Sequence, residues 1–414
     1  MDFRNEENRK PGFRLSLAKI TALCLVFLVI GLMVGSTSQF LLGPTATNIL
    51  AKLGFPVNTN LAKLISVQNL VLDRHVYTDL EADAMMENAI RGMLSKVDGG
   101  FTRYESAQEA KQSAEQSSGE YAGIGVTVRL VEEQVHIESV FRGSPAQASG
   151  ILPKDIIIGV EGESIRGLVL KDVTSRIKGP VGTPVNLTIY RPSVNSSIDI
   201  TVIRDRIIVP VVESKILSDD LAHVVLTQFT TTATEQMRIA LSDLEQKGVK
   251  HLLLDLRFNP GGFTNVVEAI ADFLLDPNLV IYKTVDRDGG TVDHKTRSNK
   301  LFTGGVTVLI NGGSASASEI LAGALRDNRQ VTILGTTTYG KGTVQQGYPL
   351  GDGSRVWVTV QTYRTPSGAD INKVGIEPDV VILAPDAAAT TDKQLEDAIK
   401  YVRDTFLSSS TGKK

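Results

Sequence analysis

The chain has 414 residues, 42% of them hydrophobic and 21% charged, which is enough for a sizeable core in two or three domains and too apolar for a disordered chain. Its formal net charge of −3 gives no basic footprint for nucleic acid. The single cysteine, Cys24, excludes a disulfide and leaves neither a cysteine-based metal site nor a thiol nucleophile in the body of the protein. The five histidines, His75, His136, His223, His251 and His294, lack zinc-ligand spacing, so no metal and no cofactor is expected.

Residues 20–42 (ITALCLVFLVIGLMVGSTSQFLL) carry no charge, and at 1.5 Å per residue they match the ~30 Å hydrocarbon layer of a bilayer. Arg4, Arg9, Lys10, Arg14 and Lys19 precede them and outnumber Asp2, Glu6 and Glu7. The positive-inside rule therefore predicts a cytoplasmic tail at 1–19, a single transmembrane anchor at 20–42 and an extracytoplasmic body held at the cell membrane. A cleaved signal peptide is the alternative, but no clear A-x-A site follows Val34, Gly35 and Ser36.

A linker bearing Pro, Gly and Asn (43–60) leads into a helical segment at 61–118. Leu64, Ile65, Val71 and Leu72, then Met85, Ile90, Met93 and Leu94, recur at helical spacing and predict an α-hairpin over 61–76 and 80–97; 106–117 reads as a third, polar helix. From Ser118 the pattern changes to short β-rich runs punctuated by glycine, a module over 119–206. From Val209 strand-like runs (222–229, 251–256, 306–310, 331–334) alternate with helical ones (234–247, 265–275, 317–327), which argues for βαβ units and a parallel sheet in a core over 207–385. Active residues then belong in loops after the strand C-termini. A β-rich run at 354–363 and a helix at 393–406, inside a C-terminal segment 386–407, precede a Ser/Thr/Lys tail at 408–414 that reads as disordered.

The β-rich module opens with E-Y-A-G-I-G-V-T-V (120–128), followed by S-P-A-Q-A-S-G-I-L-P-K-D (144–155) and V-E-G-E-S-I (160–165). These strings resemble a PDZ domain of the kind found in exported proteases. The resemblance implies β-augmentation, in which a peptide adds as a strand to an open sheet edge and backbone amides capture its terminal carboxylate. Gly123, Ile124, Gly125 and Val126 match the carboxylate-binding turn and edge strand, and Ile124 and Val126 would offer side chains to an apolar C-terminal residue.

In the core, V-T-V-L-I (306–310) reads as a buried strand, and N-G-G-S-A-S-A-S-E-I-L-A-G-A-L (311–325) as a tight turn running into a helix. Ser316 sits at that helix N-terminus, where free N–H groups and the positive end of the helix dipole suit a nucleophile whose attack creates an oxyanion; the N–H of Ala317 is the natural donor. The next loop, G-T-T-T-Y-G-K-G-T-V-Q (335–345), places Lys341 between two glycines after a strand. Burial would depress its pKa toward that of a general base, and Gln345, four residues on, can orient it.

The G-S-A-S-A-S-E-I string with Lys341 and Gln345 resembles the C-terminal processing (tail-specific) peptidases, PDZ-containing Ser/Lys serine proteases, and the resemblance extends over 61–405. L-D-L-R-F-N-P-G-G (254–262), T-P-S-G (365–368) and G-I-E-P-D (375–379) are similar to further family strings. The resemblance implies a multidomain α/β chain in which a PDZ domain is joined to a crotonase-like ββα protease core, with the helical segment and anchor before them. It implies an endopeptidase with Ser316 as nucleophile, Lys341 as general base and Gln345 as the group orienting it, and an oxyanion hole shared by Gly262 and Ala317. The expected partners are protein or peptide substrates with free C-termini, captured by a PDZ domain that also gates the site, and the membrane; a homodimer or a regulatory adaptor is left open. Asp255 and Arg257 read as a buried ion pair, and His223 stands where the family commonly has an aromatic residue. An inert PDZ scaffold would be expected to have lost part of the Ser/Lys/Gln set. For a penicillin-binding-type enzyme, S-x-x-K occurs only at Ser16/Lys19 and Ser175/Lys178, with no K-T-G. An acyl-CoA enzyme of crotonase fold fits neither the anchor nor the PDZ module.

Overall fold

The computed structural model describes residues 59–218, 220–383 and 391–407. The expected tail at 1–19, anchor at 20–42, linker up to residue 58 and tail at 408–414 lie outside them. Among the described residues no helix is long and apolar enough to cross a membrane. The chain divides into two compact units between Lys96 and Val97. The first contains the expected hairpin, α1 (Thr59–Arg74) and α2 (Ala82–Leu94).

The second unit begins with β1 (Arg103–Glu105) and the polar helix α3 (Ala107–Ser118). Ser106 stands just before α3 as its cap, accepting from the Glu109 N–H at 3.3 Å while the Glu109 carboxylate accepts from the Ser106 N–H at 2.8 Å. Gly119, at φ 73°, ends the helix in the left-handed conformation.

The β-rich module runs through β2 (Glu120–Gly123), β3 (Val126–Val131), β4 (Gln134–Val140), the short α4 (Pro145–Ala148), β5 (Ile156–Val160), β6 (Glu163–Ser164), α5 (Leu170–Ile177), β7 (Pro184–Arg191), β8 (Ser196–Ile203) and β9 (Asp205–Ile208). One antiparallel sheet has the order β3-β4-β5-β7-β8, with β6 paired to β5, and β2 pairs with β9 in a separate ribbon. Val135, Ile137, Ile157, Leu187 and Ile189 fill its core.

The remaining body is a six-stranded sheet of order β10-β11-β12-β15-β16-β19, built from β10 (Val212–Ser218), β11 (Leu221–Leu226), β12 (His251–Asp255), β15 (Gly305–Ile310), β16 (Thr332–Gly335) and β19 (Val380–Val381). All pairs but β10–β11 are parallel, as the alternation of strands and helices predicts. The intervening helices are α6 (Ala233–Gln246), α7 (Thr264–Leu274) and α8 (Ala317–Arg329). Leu252 and Leu254 of β12, with Val308 and Ile310 of β15, join the core cluster that includes residues of these helices. Leu253, Leu309 and Leu334 pack on the other face against Ala398 and Val402 of α9 (Lys393–Val402). Both faces are covered, so these strands read as continuous apolar runs rather than as alternation.

Of a second, antiparallel sheet the sequence foresaw only the β-rich run at 354–363. It joins β1, β18 (Arg355–Arg364), β13 (Val280–Asp286) and β14 (Thr291–Lys295), with β17 (Thr343–Pro349) on β18.

Candidate active site

Three loops at the C-terminal ends of β12, β15 and β16 meet in one place. After β12, the buried Asn259 donates from Nδ2 to Leu226 O (2.8 Å) and accepts the Gly261 N–H on Oδ1 (2.9 Å), while its carbonyl accepts from Ala315 N and Ser318 Oγ at 3.0 and 2.9 Å. Gly261 (φ 98°) and Gly262 (φ 151°) follow. A Cβ on Gly261 would stand 2.8 Å from Ser316 Cβ and 2.9 Å from Ala317 N, and one on Gly262 would stand 2.2 Å from Phe229 O. Only glycine permits this approach. The Gly262 and Ala317 amides, the two expected oxyanion donors, are left without an acceptor among the hydrogen bonds of the described residues.

Ser316 precedes α8 at φ 55°, ψ −114°, a conformation uncommon for a non-glycine residue and typical of strained functional turns. What holds it is Glu319, fully buried one turn into α8, whose Oε2 accepts from the Ser316 N–H at 2.7 Å. The same carboxylate accepts from Lys341 N (3.0 Å), Gly340 N (2.7 Å) and Thr338 Oγ1 (2.6 Å). One buried anion thus fastens the Ser316 turn to the Lys341 loop, each oxygen serving two donors. The buried Tyr363 hydroxyl contacts both Ser316 O, at 3.1 Å, and Lys341 O.

Ser316, Lys341 and Gln345 line one cavity of about 230 Å³, with Gly262, Arg103 and Trp357 also in its walls. The Lys341 ammonium stands 5.1 Å from the centre of the Phe101 ring. Burial pushes its pKa below the ordinary lysine value and the Arg103 guanidinium adds to this, against an upward pull from Glu319. Gln345 donates from Nε2 to Thr343 Oγ1 (2.9 Å) and Thr359 Oγ1 (3.1 Å). No hydrogen bond joins Ser316 Oγ, Lys341 Nζ and Gln345 to one another in this structure.

Asp255 and Arg257 form the expected ion pair at 2.8 Å, with side chains 4% and 9% exposed. Arg257 also reaches Asp392, the N-cap of α9, at 2.7 Å, and His223 meets Asp255 at 3.1 Å. This network pins the loop after β12 to the C-terminal helix. Among the described residues no cluster of His, Cys, Asp or Glu has the arrangement of a metal site.

In the β-rich module, Gly123, Ile124 and Val126 line a groove of about 110 Å³ between β3 and α5, together with Tyr121, Ile177 and Lys178. Gly125, at φ 82°, packs so closely on Ser144 that a Cβ would come within 2.4 Å. Ile124 departs from the expectation of a side chain offered to ligand: it is 1% exposed and belongs to the module's core, leaving Val126 as the more open apolar residue. The Tyr121 ring stands over Gly123 with Lys178 Nζ 4.9 Å from its centre. Burial raises the Tyr121 pKa, against the Gly125 and Val126 amides, whose N–H dipoles face the phenolic oxygen.

Comparison with known proteins gives the family. The pattern of Peptidase family S41 matches residues 220–382, and that of the PDZ domain residues 112–190. A carboxy-terminal-processing protease of Bartonella bacilliformis is 36% identical over 306 residues, 73% of this chain and 70% of that one. The carboxy-terminal processing protease CtpB of Bacillus subtilis is 33% identical over 347 residues, covering 82% and 71%. The solved photosystem II D1 C-terminal processing protease is 28% identical, covers 87% of this chain and 96% of its own, and superposes with a TM-score of 0.46. The chain belongs to peptidase family S41 and is a PDZ-containing serine protease of the carboxy-terminal processing type.

Proposed function

We propose that the chain is an endopeptidase in which Ser316 is the nucleophile and Lys341 the general base. The observation that carries this reading is the convergence of both residues on one cavity, with their backbones fastened to the single carboxylate of Glu319. Neutral Lys341 takes the Ser316 Oγ proton as Oγ adds to the scissile carbonyl, and the resulting oxyanion is received by the Gly262 and Ala317 amides. The Lys341 ammonium then protonates the leaving amine, and water, deprotonated by the same lysine, releases the acyl group. Gln345 orients Lys341. Because the base must be uncharged, kcat/KM rises with pH through the Lys341 pKa, which lies below that of an ordinary lysine. Ser316→Ala and Lys341→Ala should each lower peptide cleavage by roughly a thousandfold or more with the fold retained, and the double variant should be little worse than either. Substantial cleavage by purified Ser316→Ala would overturn the assignment.

In this reading the groove between β3 and α5 takes substrate C-termini, their carboxylate meeting the amides of the Gly123–Val126 turn, and residues 20–42 tether the enzyme with its catalytic body outside the cytoplasm. A free-acid peptide should bind better than its amide, and external protease should reach the body in spheroplasts but not residues 1–19. Equal binding of the two peptides, or protection of the body, removes the respective claim.

A further inference from the structure

Gln345 lies directly opposite Thr359 across the β17–β18 pair, at a bulge between Val344 and Gln345 that re-aims its side chain. Thr359 Oγ1 in turn lies 2.5 Å from Asp98 Oδ2, and Asp98 is further held by Thr102, whose N–H donates to Oδ1 and whose hydroxyl donates to Oδ2, both at 2.7 Å. Burial alone would raise the Asp98 pKa, but the hydroxyls of Thr359 and Thr102 and the Thr102 N–H outweigh it and hold the carboxyl below its usual value.

Proton counting then fixes a direction along this chain. An ionised carboxylate only accepts, so the single Thr359 hydroxyl proton goes to Asp98 and the Thr359 oxygen can only accept from Gln345. The nitrogen end of the Gln345 amide must therefore face Thr359 and Thr343, as its bonds to both require. Its carbonyl oxygen remains for the cavity that Gln345 shares with Lys341. The distinction matters to a neutral lysine, which has one lone pair. A carbonyl partner takes one of its N–H groups and leaves the lone pair for the Ser316 hydroxyl, whereas an NH₂ partner would consume it.

We propose that Asp98 and Thr359 are positioning residues that set the amide direction of Gln345 and so keep the Lys341 lone pair free. This rests on the Ser316/Lys341 reading above. Asp98→Asn gives the sharpest test, because the Thr102 N–H cannot accept and so holds the new amide oxygen in the Oδ1 position. The new NH₂ then faces Thr359, which must pass its own proton to Gln345, and the whole chain reverses.

The experiment measures kcat and KM for one peptide with Gln345→Ala, Thr359→Val, Thr359→Ser, Asp98→Asn and the double variant Thr359→Val/Gln345→Ala, each checked for an unchanged unfolding midpoint. Thr359→Val should lower kcat about tenfold with KM within about twofold, and Thr359→Ser should recover most of the loss. Asp98→Asn should fall at least as far as Thr359→Val, and the double variant should be no worse than Gln345→Ala alone. Additive losses in the double variant, or wild-type kcat in Thr359→Val or Asp98→Asn beside an impaired Gln345→Ala, overturn the inference and leave the assignment of Gln345 standing. Full activity in Gln345→Ala removes both. If Thr359→Val does not fold, Thr359→Ser and Asp98→Asn decide the matter.

Discussion

The two sides of the catalytic cavity are built from different material. The side from the parallel sheet is backbone: the Gly261–Gly262 turn, the Ala317 amide and the Ser316 turn, locked by Asn259 and Glu319 into one conformation. The side from the antiparallel sheet presents side chains, Gln345 from β17 and Arg103 from β1, around the four-carbon arm of Lys341. The difference teaches that the amides on one side take their places with the backbone itself, whereas the side chains opposite need partners of their own, as Gln345 has in Thr343 and Thr359.

The largest effect that tests this contrast is expected on the backbone side. Gly262→Ala forces a Cβ to within 2.2 Å of Phe229 O, so the loop must shift and carry the Gly262 amide with it. Cleavage should fall by roughly a hundredfold or more, and the unfolding midpoint should fall as well. A variant of unchanged midpoint and rate would show that the loop is as adaptable as the side chains opposite. Next, Gln345→Ala should reduce kcat by about tenfold to a hundredfold while the unfolding midpoint stays put, since it breaks only the two bonds to Thr343 and Thr359. A lowered midpoint with normal turnover would make Gln345 a structural residue. The smallest expected effect is on pH dependence. Arg103 helps hold the Lys341 pKa down, so Arg103→Met should raise that pKa and move the acid limb of kcat/KM toward higher pH, with little change at pH values where both enzymes carry neutral lysine. A limb that stays in place or moves down contradicts the sign.

What the sequence made legible follows the same division. The strands of the parallel sheet are short, apolar and bounded by turns, and the loops after them carry glycines at positions where a Cβ has no room, so both the βαβ order and the place of Ser316 could be read from residue types. The antiparallel sheet could be read only at β18, whose R-V-W-V-T-V alternates; β14 (T-V-D-H-K) and β17 (T-V-Q-Q-G-Y-P) are polar, mostly half-buried or exposed, and broken by Gly347 and Pro349. Glu319 was visible as a letter in a string, but its work depends on N–H groups of residues 340 and 341, which no local spacing announces. Asp98 and Thr359 are separated by 261 residues and meet because β1, which follows Asp98, pairs with β18, the strand that carries Thr359. Ile124 departs for a related reason: the turn in which it stands directs its side chain into the core.

The Glu319 carboxylate has a further consequence for how Ser316 and Lys341 can move relative to one another. By holding the amides of Ser316, Gly340 and Lys341 at once, it makes the Ser316 turn and the Lys341 loop a single piece, and sliding one past the other would strand a buried carboxylate without its donors. The missing contact between Ser316 Oγ and Lys341 Nζ therefore cannot be closed by loop motion. It has to be closed by rotation about side-chain bonds, chiefly those of Lys341, past the Phe101 ring against which its ammonium now rests. Phe101 and Arg103 belong to the segment leading into α3, and α3 also contributes Ser113 and Ser117 to the cavity wall. The side chains of this segment therefore bound the space through which the Lys341 arm can turn.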